Sequence, residues 1–547
     1  MRINARILGL TTLAVCILLL CCLPLAAQSQ PRVTSERAAA FAVSPALRDL
    51  PQLPPTVSYG FHETEPPRHV DYHPGRGQLT GIDPVAQTSA VGQPTATLVQ
   101  LLSVEGIANL CSCYPPDPNA AVGDTQVLEM VNSHIEVFDK TTGTSLLGPT
   151  PIHQIFAALS PNRCGIEDDG DPVVLFDKVN HRWLITQFEV TNPAYFCAAV
   201  STSADATSTW NLYAFLTTDF NDYPKWGMWP TGYFVTDNHF NNSGTAYVDA
   251  RLHAANDVKM RAGDPTAEFL TCELTGNDYS ILPADVDSII PPPAGQAEFF
   301  LGSYDVDATN NHLYLYSMAP NFATGGATCT GSGLAQPITV PTYVPFCDSS
   351  RSCVPEPGGS TLDALGDRVM FRFAYWNDGI NPNVPPCATC APPRHQHWYV
   401  NHTASVSGHA GVRWYEFQTP VTVVNPSSLM VADTGTFSPD SNYRWMASMA
   451  RDKMNNLAVG YSISSSSISP SVNVAQRTGP GTLGGEQTLF SGTGSQTGSA
   501  HRWGDYTSMS LDGSDHCTLW YTNEYIMTTG TAPWRTRMTK LKFDNCN

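Results

Sequence analysis

One turn recurs through this 547-residue chain and limits what it can fold into. It opens on Asp, passes two variable residues and a polar one, and closes on Gly, His or Asn just before an apolar strand. The copies read Asp139-Lys-Thr-Thr-Gly143, Asp177-Lys-Val-Asn-His181, Asp307-Ala-Thr-Asn-Asn311, Asp452-Lys-Met-Asn-Asn456 and Asp512-Gly-Ser-Asp-His516. An Asp carboxylate accepts backbone N–H groups two residues on, and Asn and Gly tolerate the left-handed backbone that ends the turn. A hairpin repeated this often makes a repeat of small antiparallel sheets the first expectation.

The strands around these turns give the size of the repeat. Residues 171–216 split into four runs, DPVVLF, RWLITQFEV, YFCAAVST and WNLYAFL, the content of one propeller blade. Arg444-Trp-Met-Ala-Ser-Met-Ala-Arg-Asp452 aligns with Arg502-Trp-Gly-Asp-Tyr-Thr-Ser-Met-Ser-Leu-Asp512 once two residues are inserted, and the turn aspartates lie 60 positions apart. Further blades fit at 224–274 and 367–417, while Asp139 is out of phase and marks another hairpin of the first blade. The expected fold class is all-β: a β-propeller of four-stranded blades, with seven favoured and six the alternative. An N-terminal strand at 97–102 completes the last blade and hides its open edge. A string of β-sandwiches is the competing architecture. Short helices are expected only at 152–159 and 254–260. A charged content of 14% beside 41 Gly and 43 Pro fits such a loop-rich β protein.

Residues 1–28 read as a signal peptide: Arg2 and Arg6, an apolar run from Ile7 to Leu20, then Leu25-Ala26-Ala27 as the cleavage site. The run is short for a membrane span and no basic flank follows it. Residues 29–96 are Pro-rich and read as a poorly ordered leader or a wrapping arm, and 97–547 as the propeller domain. Export, to the periplasm or beyond, gives the cysteines meaning. Three of the 15 leave with the signal, and the even remainder favours pairing. The short-range pairs are Cys164 with Cys197, Cys347 with Cys353, and Cys517 with Cys546, with Cys387-Ala-Thr-Cys390 as a clipped Pro-rich loop. Loss of Arg2 and Arg6 takes the net charge from −19 to −21, which excludes binding a nucleic-acid backbone by bulk charge.

Ser203-Ala-Asp205-Ala-Thr-Ser-Thr209-Trp210 resembles the Asp box of sialidase-like propellers, Ser-x-Asp-x-Gly-x-Thr-Trp, with Thr207 in place of Gly. It stands between the third and fourth runs of the clear blade, where that family carries it. The Arg-Trp-Gly-Asp-Tyr run resembles a first-strand motif of uncharacterised exported bacterial propellers. The resemblance implies the fold and a glycan as the substrate class. The family's Arg-Ile-Pro signature is missing and its catalytic tyrosine and arginines match no local motif here, so that set is not carried over.

Propeller sites collect at the axial end where first strands begin. The candidates there are Asp171, Asp505, Tyr506 and Glu524 for catalysis, as paired carboxylates or a tyrosine nucleophile. Asp169, Asp222, Lys225, Arg444, Arg502 and Trp503 are the candidates for substrate binding. No cofactor is expected, with a structural calcium ion as the alternative. Asp305-Val-Asp307-Ala-Thr-Asn310 resembles a calcium loop but lacks its Gly and Glu, and His395-Gln-His397 is the one close histidine pair. Two functions survive: an exported glycoside hydrolase or lyase, or a propeller that binds glycan or protein without catalysis. Exposed aromatic side chains would stack on sugars in either case.

Overall fold

The computed structural model describes residues 31–51, 62–63, 83–89, 94–274, 278–288, 290–303, 310–330, 336–347, 352–379, 394–499 and 501–547. They form a nearly all-β chain of antiparallel four-stranded units, each named here by its leading residue. The Asn119 unit runs through Asn119–Val122, Gln126–Val131, His134–Asp139 and Ser145–Pro151. The Gly170 unit follows with Gly170–Asp177, Arg182–Glu189, Ala194–Ser201 and Trp210–Thr217. The Phe220 unit comprises Phe220–Trp229, Gly232–Phe240, Tyr247–Ala255 and Glu268–Glu273. In the Leu282 unit, Leu282–Val286, Glu298–Gly302 and His312–Asn321 lead to an outer edge made by Gly326–Cys329 and Gln336–Thr339. The Val369 unit holds Val369–Asn377, His395–Val406, His409–Pro420 and Met430–Phe437. The Tyr443 unit holds Tyr443–Arg451, Asn456–Ser465, Ile468–Thr478 and Gly484–Phe490. In the Ser508 unit, Ser508–Leu511, Thr518–Ile526 and Trp534–Phe543 are completed by Leu98–Ala108, which pairs antiparallel with Trp534–Phe543. The first strands of the Leu282 and Val369 units also pair in parallel, Ala284 opposite Phe373.

The recurring turns behave as the residues dictate. Asp177 Oδ1 accepts Val179 N–H and Asn180 N–H at 3.1 and 2.8 Å, and Asp452 Oδ1 accepts Met454 N–H and Asn456 N–H, both at 2.9 Å. His181, Asn455 and His516 take the left-handed φ of 52°, 64° and 54° that closes each turn. The Asp177, Asp452 and Asp512 turns join first to second strands, and the Asp139 turn joins third to fourth. The Asp307 copy lies outside the described residues. Where the second residue is Lys it reaches another unit: Lys140 Nζ to Asp512 at 3.0 Å, Lys178 Nζ to Asp287 beyond the intervening Phe220 unit at 3.1 Å, and Lys453 Nζ to Asp515 O at 3.2 Å.

Each unit presents an apolar face that only the next unit can cover, so the core is a series of seams. All 11 tryptophans are buried in them, which leaves no indole on the surface for stacking on sugar. The Tyr443 and Ser508 units meet so closely that a Cβ on Gly460 would stand 2.4 Å from the Tyr521 ring. Gly460→Ala is therefore expected to cost about 1–3 kcal/mol by overpacking. An unchanged urea midpoint would contradict that seam.

The arm before the sheets is a wrapping one over its described stretches. Arg32–Arg37 pairs with Glu268–Glu273, and Ala40–Val43 with Trp210–Thr217. Ala86–Gln87 pairs in parallel with Met430–Phe437. These additions cover open sheet edges. The helix expected at 152–159 is Ile152–Phe156 followed by a 3-10 turn at Ala157–Leu159. The one expected at 254–260 shifts to Asp257–Ala262. Tyr247–Ala255 stays in its sheet, and Asn256 caps the helix by accepting Lys259 N–H at 3.2 Å. Disulfides join Cys164 to Cys197, Cys347 to Cys353 and Cys517 to Cys546, and also Cys111 to Cys113 and Cys272 to Cys329. Cys387 and Cys390 lie outside the described residues.

Candidate functional site

Several first strands begin with a kink. The pairing register slips between Gly170 and Val173, between Asp222 and Lys225, and between Trp445 and Ser448. At each slip one non-glycine residue takes a left-handed backbone: Asp171 at φ 43°, Tyr223 at 56° and Met446 at 52°. Asp117, just before the first strand of its unit, does the same at 48°. Such bulges re-aim side chains, and strained backbone of this kind collects at functional sites. Proline follows Asp117, Asp171 and Tyr223, and this recurring X-Pro step was the signal for Asp117, which motif reading passed over.

The kinks aim these side chains at one another. Lys225, fully buried, holds its Nζ 3.7 Å from Asp171 Oδ2, 3.6 Å from the centre of the Tyr223 ring and 4.1 Å from that of Tyr506. Asp117 Oδ1 accepts Asp505 N–H at 2.6 Å, and Arg502 donates to Asp505 Oδ1 at 2.5 Å. Asn132 ties two of the acids together, donating to Asp117 Oδ2 at 3.0 Å and accepting Asp171 N–H at 2.9 Å. From the far side Arg368 lies 4.7 Å from the centre of the Tyr223 ring. Asp171 Oδ2 and the Tyr223 hydroxyl are buried with no hydrogen-bond partner.

Electrostatics here are set by exclusion of water. Burial raises the Asp117 carboxyl well above the usual range, and the charges of Asp505 and Asp171 add to that. Burial also raises Asp171, against the pull of Lys225, and lowers Lys225, against the pull of Asp171. The acid and the amine are thus both driven toward their neutral forms. Such a set can give and accept protons at one place.

The expected site residues divide into two groups. Asp171, Lys225, Arg502, Asp505 and Tyr506 come together. Glu524 joins below them: its Oε1 accepts Gly504 N–H, and burial raises its carboxyl. Asp222 stays in its strand opposite Asn238 and contributes charge to Lys225. Tyr506 does not suit the nucleophile role. Its hydroxyl donates to Pro172 O at 2.7 Å, and burial holds it protonated, the reverse of an activated phenol.

The other candidates are committed elsewhere. Asp169 accepts Val190 N–H at 2.9 Å and sits against Glu189, whose carboxyl is pushed up to about 10 by burial and the Asp169 charge. Arg444 is saturated by Asp440 at 2.8 Å and Glu486 at 2.8 Å, so no guanidinium face is left for a ligand. Trp503 packs against Trp445 at 5.7 Å and donates to Ser462 Oγ. His397 spends both ring nitrogens on carboxylates, Asp378 at 2.8 Å and Glu416 at 2.9 Å, which leaves neither for a metal. Among the described residues no group of three or more His, Cys, Asp or Glu is placed to hold a metal ion. The Ser203–Trp210 turn is scaffold. Asp205 Oδ1 accepts Thr207 N–H at 2.9 Å, and Trp210 is buried with its Nε1 donating to Ala206 O at 3.0 Å.

These sheets and their convergent first strands define a β-propeller. No family model and no curated protein matches the chain. Among solved structures it is similar to a PL25 ulvan lyase bound to -[GlcA(1-4)Rha3S]-, at 12% identity over 80% of this chain and 97% of that one, with a TM-score of 0.38. It is also similar to the polysaccharide lyase Uly1, at 10% identity over 94% and 100% of the two chains, with a TM-score of 0.34. The WD40 domain of SCAP from fission yeast is matched at 7% identity over 76% and 81%, with a TM-score of 0.30.

Proposed function

We propose that the chain is an exported carbohydrate-active propeller whose axial end performs acid–base chemistry on a polysaccharide, as a glycoside hydrolase or a lyase. The observation that carries this is the Asp117–Asp171–Asp505 set gathered around Lys225 beside strained backbone, with the Asp117 and Asp171 carboxyls and the Lys225 amine shifted in opposite senses by burial. Two acids in one water-poor place, one protonated and one ionised, are what acid–base cleavage of a glycosidic linkage requires. Asp505 and Arg502, each 8% exposed, are the members nearest to solvent, and we assign them the contact with substrate. The resemblance of Ser203–Trp210 to the sialidase Asp box points to a glycan as substrate class. Five disulfides among the described residues fit an oxidising compartment. In the same reading the four-stranded units are seven blades, and Leu98–Ala108 closes the ring.

The test is turnover on neutral, uronic-acid and sulfated polysaccharides, following new reducing ends and unsaturated products separately to tell hydrolase from lyase. Asp505→Asn is expected to lower turnover at least about 100-fold with polymer binding retained, as for loss of a general acid or base. Full activity in that variant would remove Asp505 from the mechanism. The closed packing of the axial end favours a second reading, a non-catalytic glycan- or protein-binding propeller. Polymer retention by the wild type with no product from any substrate would establish that one.

A further inference from the structure

Two segments outside the four-stranded sheets close over the axial cluster. One is 352–368, which leads from the Leu282 unit into the Val369 unit and has only the two-stranded ribbon Ser352–Val354 with Leu362–Asp363 as internal structure. The other is 491–503, which leads from the Tyr443 unit to Asp505. They are pinned to each other by local bonds. Gln496 N–H donates to Glu356 Oε2 at 2.9 Å, Ser495 Oγ to Pro357 O at 2.9 Å, Ser360 N–H to Gln496 O at 2.8 Å, and Asp363 N–H to His501 O at 2.9 Å. Beneath them Val354, Leu362 and Leu365 pack with Met370, Met446 and Trp503. The strap ends at Arg368, over the Tyr223 ring, and Gln496 Nε2 donates to Arg502 O at 2.8 Å. The grip on the cluster is therefore direct.

We propose that residues 352–368 are a lid, which parts from 491–503 as a local unit to admit ligand to the axial carboxylates. The inference rests on reading the axial end as the functional site. Three observations support it. The cluster is sealed although its members are polar, with Asp117, Asp171 and Lys225 all at most 2% exposed. The seal consists of connecting segments, so parting it breaks none of the pairing within the four-stranded sheets, and segments of this kind supply enzyme lids. The latch is also imperfect: Glu356 Oε1 is buried in the joint with no hydrogen-bond partner.

Peroxide oxidation of methionines, followed by peptide mass spectrometry, tests the lid without any substrate. Met370 and Met446 lie under the strap, while Met449 and Met509 lie in the seams between sheets, and all four are at most 1% exposed. In the folded wild-type chain Met370 and Met446 are expected to oxidise at least tenfold faster than Met449 and Met509. In Glu356→Ala that gap widens. One common rate for all four in the wild type, or equal acceleration of all four in the variant, would mean that the strap opens only with the whole fold, and would overturn the proposal. A failed polysaccharide screen leaves this result unaffected.

Discussion

Arg372→Met is expected to lower the unfolding free energy by about 3–5 kcal/mol, the cost of stripping one partner from a buried ion pair. Arg372, 2% exposed, sits where three first strands converge. Its Nε donates to Asp285 at 2.7 Å, its terminal nitrogens to Asp287 at 2.7 Å and to Met509 O at 2.8 Å. Burial alone would raise the Asp287 carboxyl, but the charges of Arg372 and Lys178 outweigh it and hold Asp287 below the usual range. Methionine fills the volume and leaves two buried carboxylates facing one lysine. Adding Asp285→Asn to Arg372→Met is expected to recover part of the loss, because it removes one of the stranded charges. A urea titration showing a deficit under about 1 kcal/mol for the single variant would mean that the arginine does not neutralise this end of the axis.

The second large effect concerns pH. Glu129 is fully buried at the seam between the Asn119 and Ser508 units, where it accepts Ile107 N–H at 2.9 Å and Thr522 Oγ1–H at 3.0 Å. Burial pushes its carboxyl up to about 7, against its hydrogen bonds. The folded chain therefore binds a proton between pH 4.5 and 7 that the unfolded chain releases, so this group's contribution is complete below pH 4.5 and falls as pH rises through 7. The span corresponds to about 3 kcal/mol. A glutamine side chain at this position has no proton to lose. Glu129→Gln is accordingly expected to match the wild type near pH 4.5 and to exceed it by about 2–3 kcal/mol at about pH 8, read as the shift in urea midpoint. Equal midpoints at the higher pH would show that Glu129 is ionised in the fold without cost.

How much of this was legible in the sequence follows from what each signal measures. The Asp turns report local chemistry, a carboxylate bonding to its own backbone, so they marked hairpins without knowledge of the partners. Repeated strand runs located the Gly170 unit almost residue for residue. The site was half legible. Asp171, Lys225, Asp505 and Tyr506 were found because first strands start near the axis, a property of position in the repeat. Asp117 was missed because its partner Asp505 is 388 positions away, and only the shared X-Pro kink linked it to Asp171. Arg444 and Trp503 were assigned to ligand binding because Arg-Trp looks the same whether the guanidinium is free or held. Asp440 and Glu486 decide that, and their approach depends on turns that spacing does not describe. Aromatic abundance misled in the same way, since indoles that would stack on sugars fill seams instead.

The strand Leu98–Ala108 has a consequence for the order in which the molecule is made. It is hydrogen-bonded to Trp534–Phe543, with Glu105 and Arg535 430 positions apart. During synthesis that strand leaves the ribosome early and waits, unpaired, while every intervening sheet is translated. Contacts of such long range are slow to form, and the waiting edge is a site for wrong pairing. Without Trp534–Phe543, Leu98–Ala108 has no mate, and its hydrogen-bonding edge is left open to other strands.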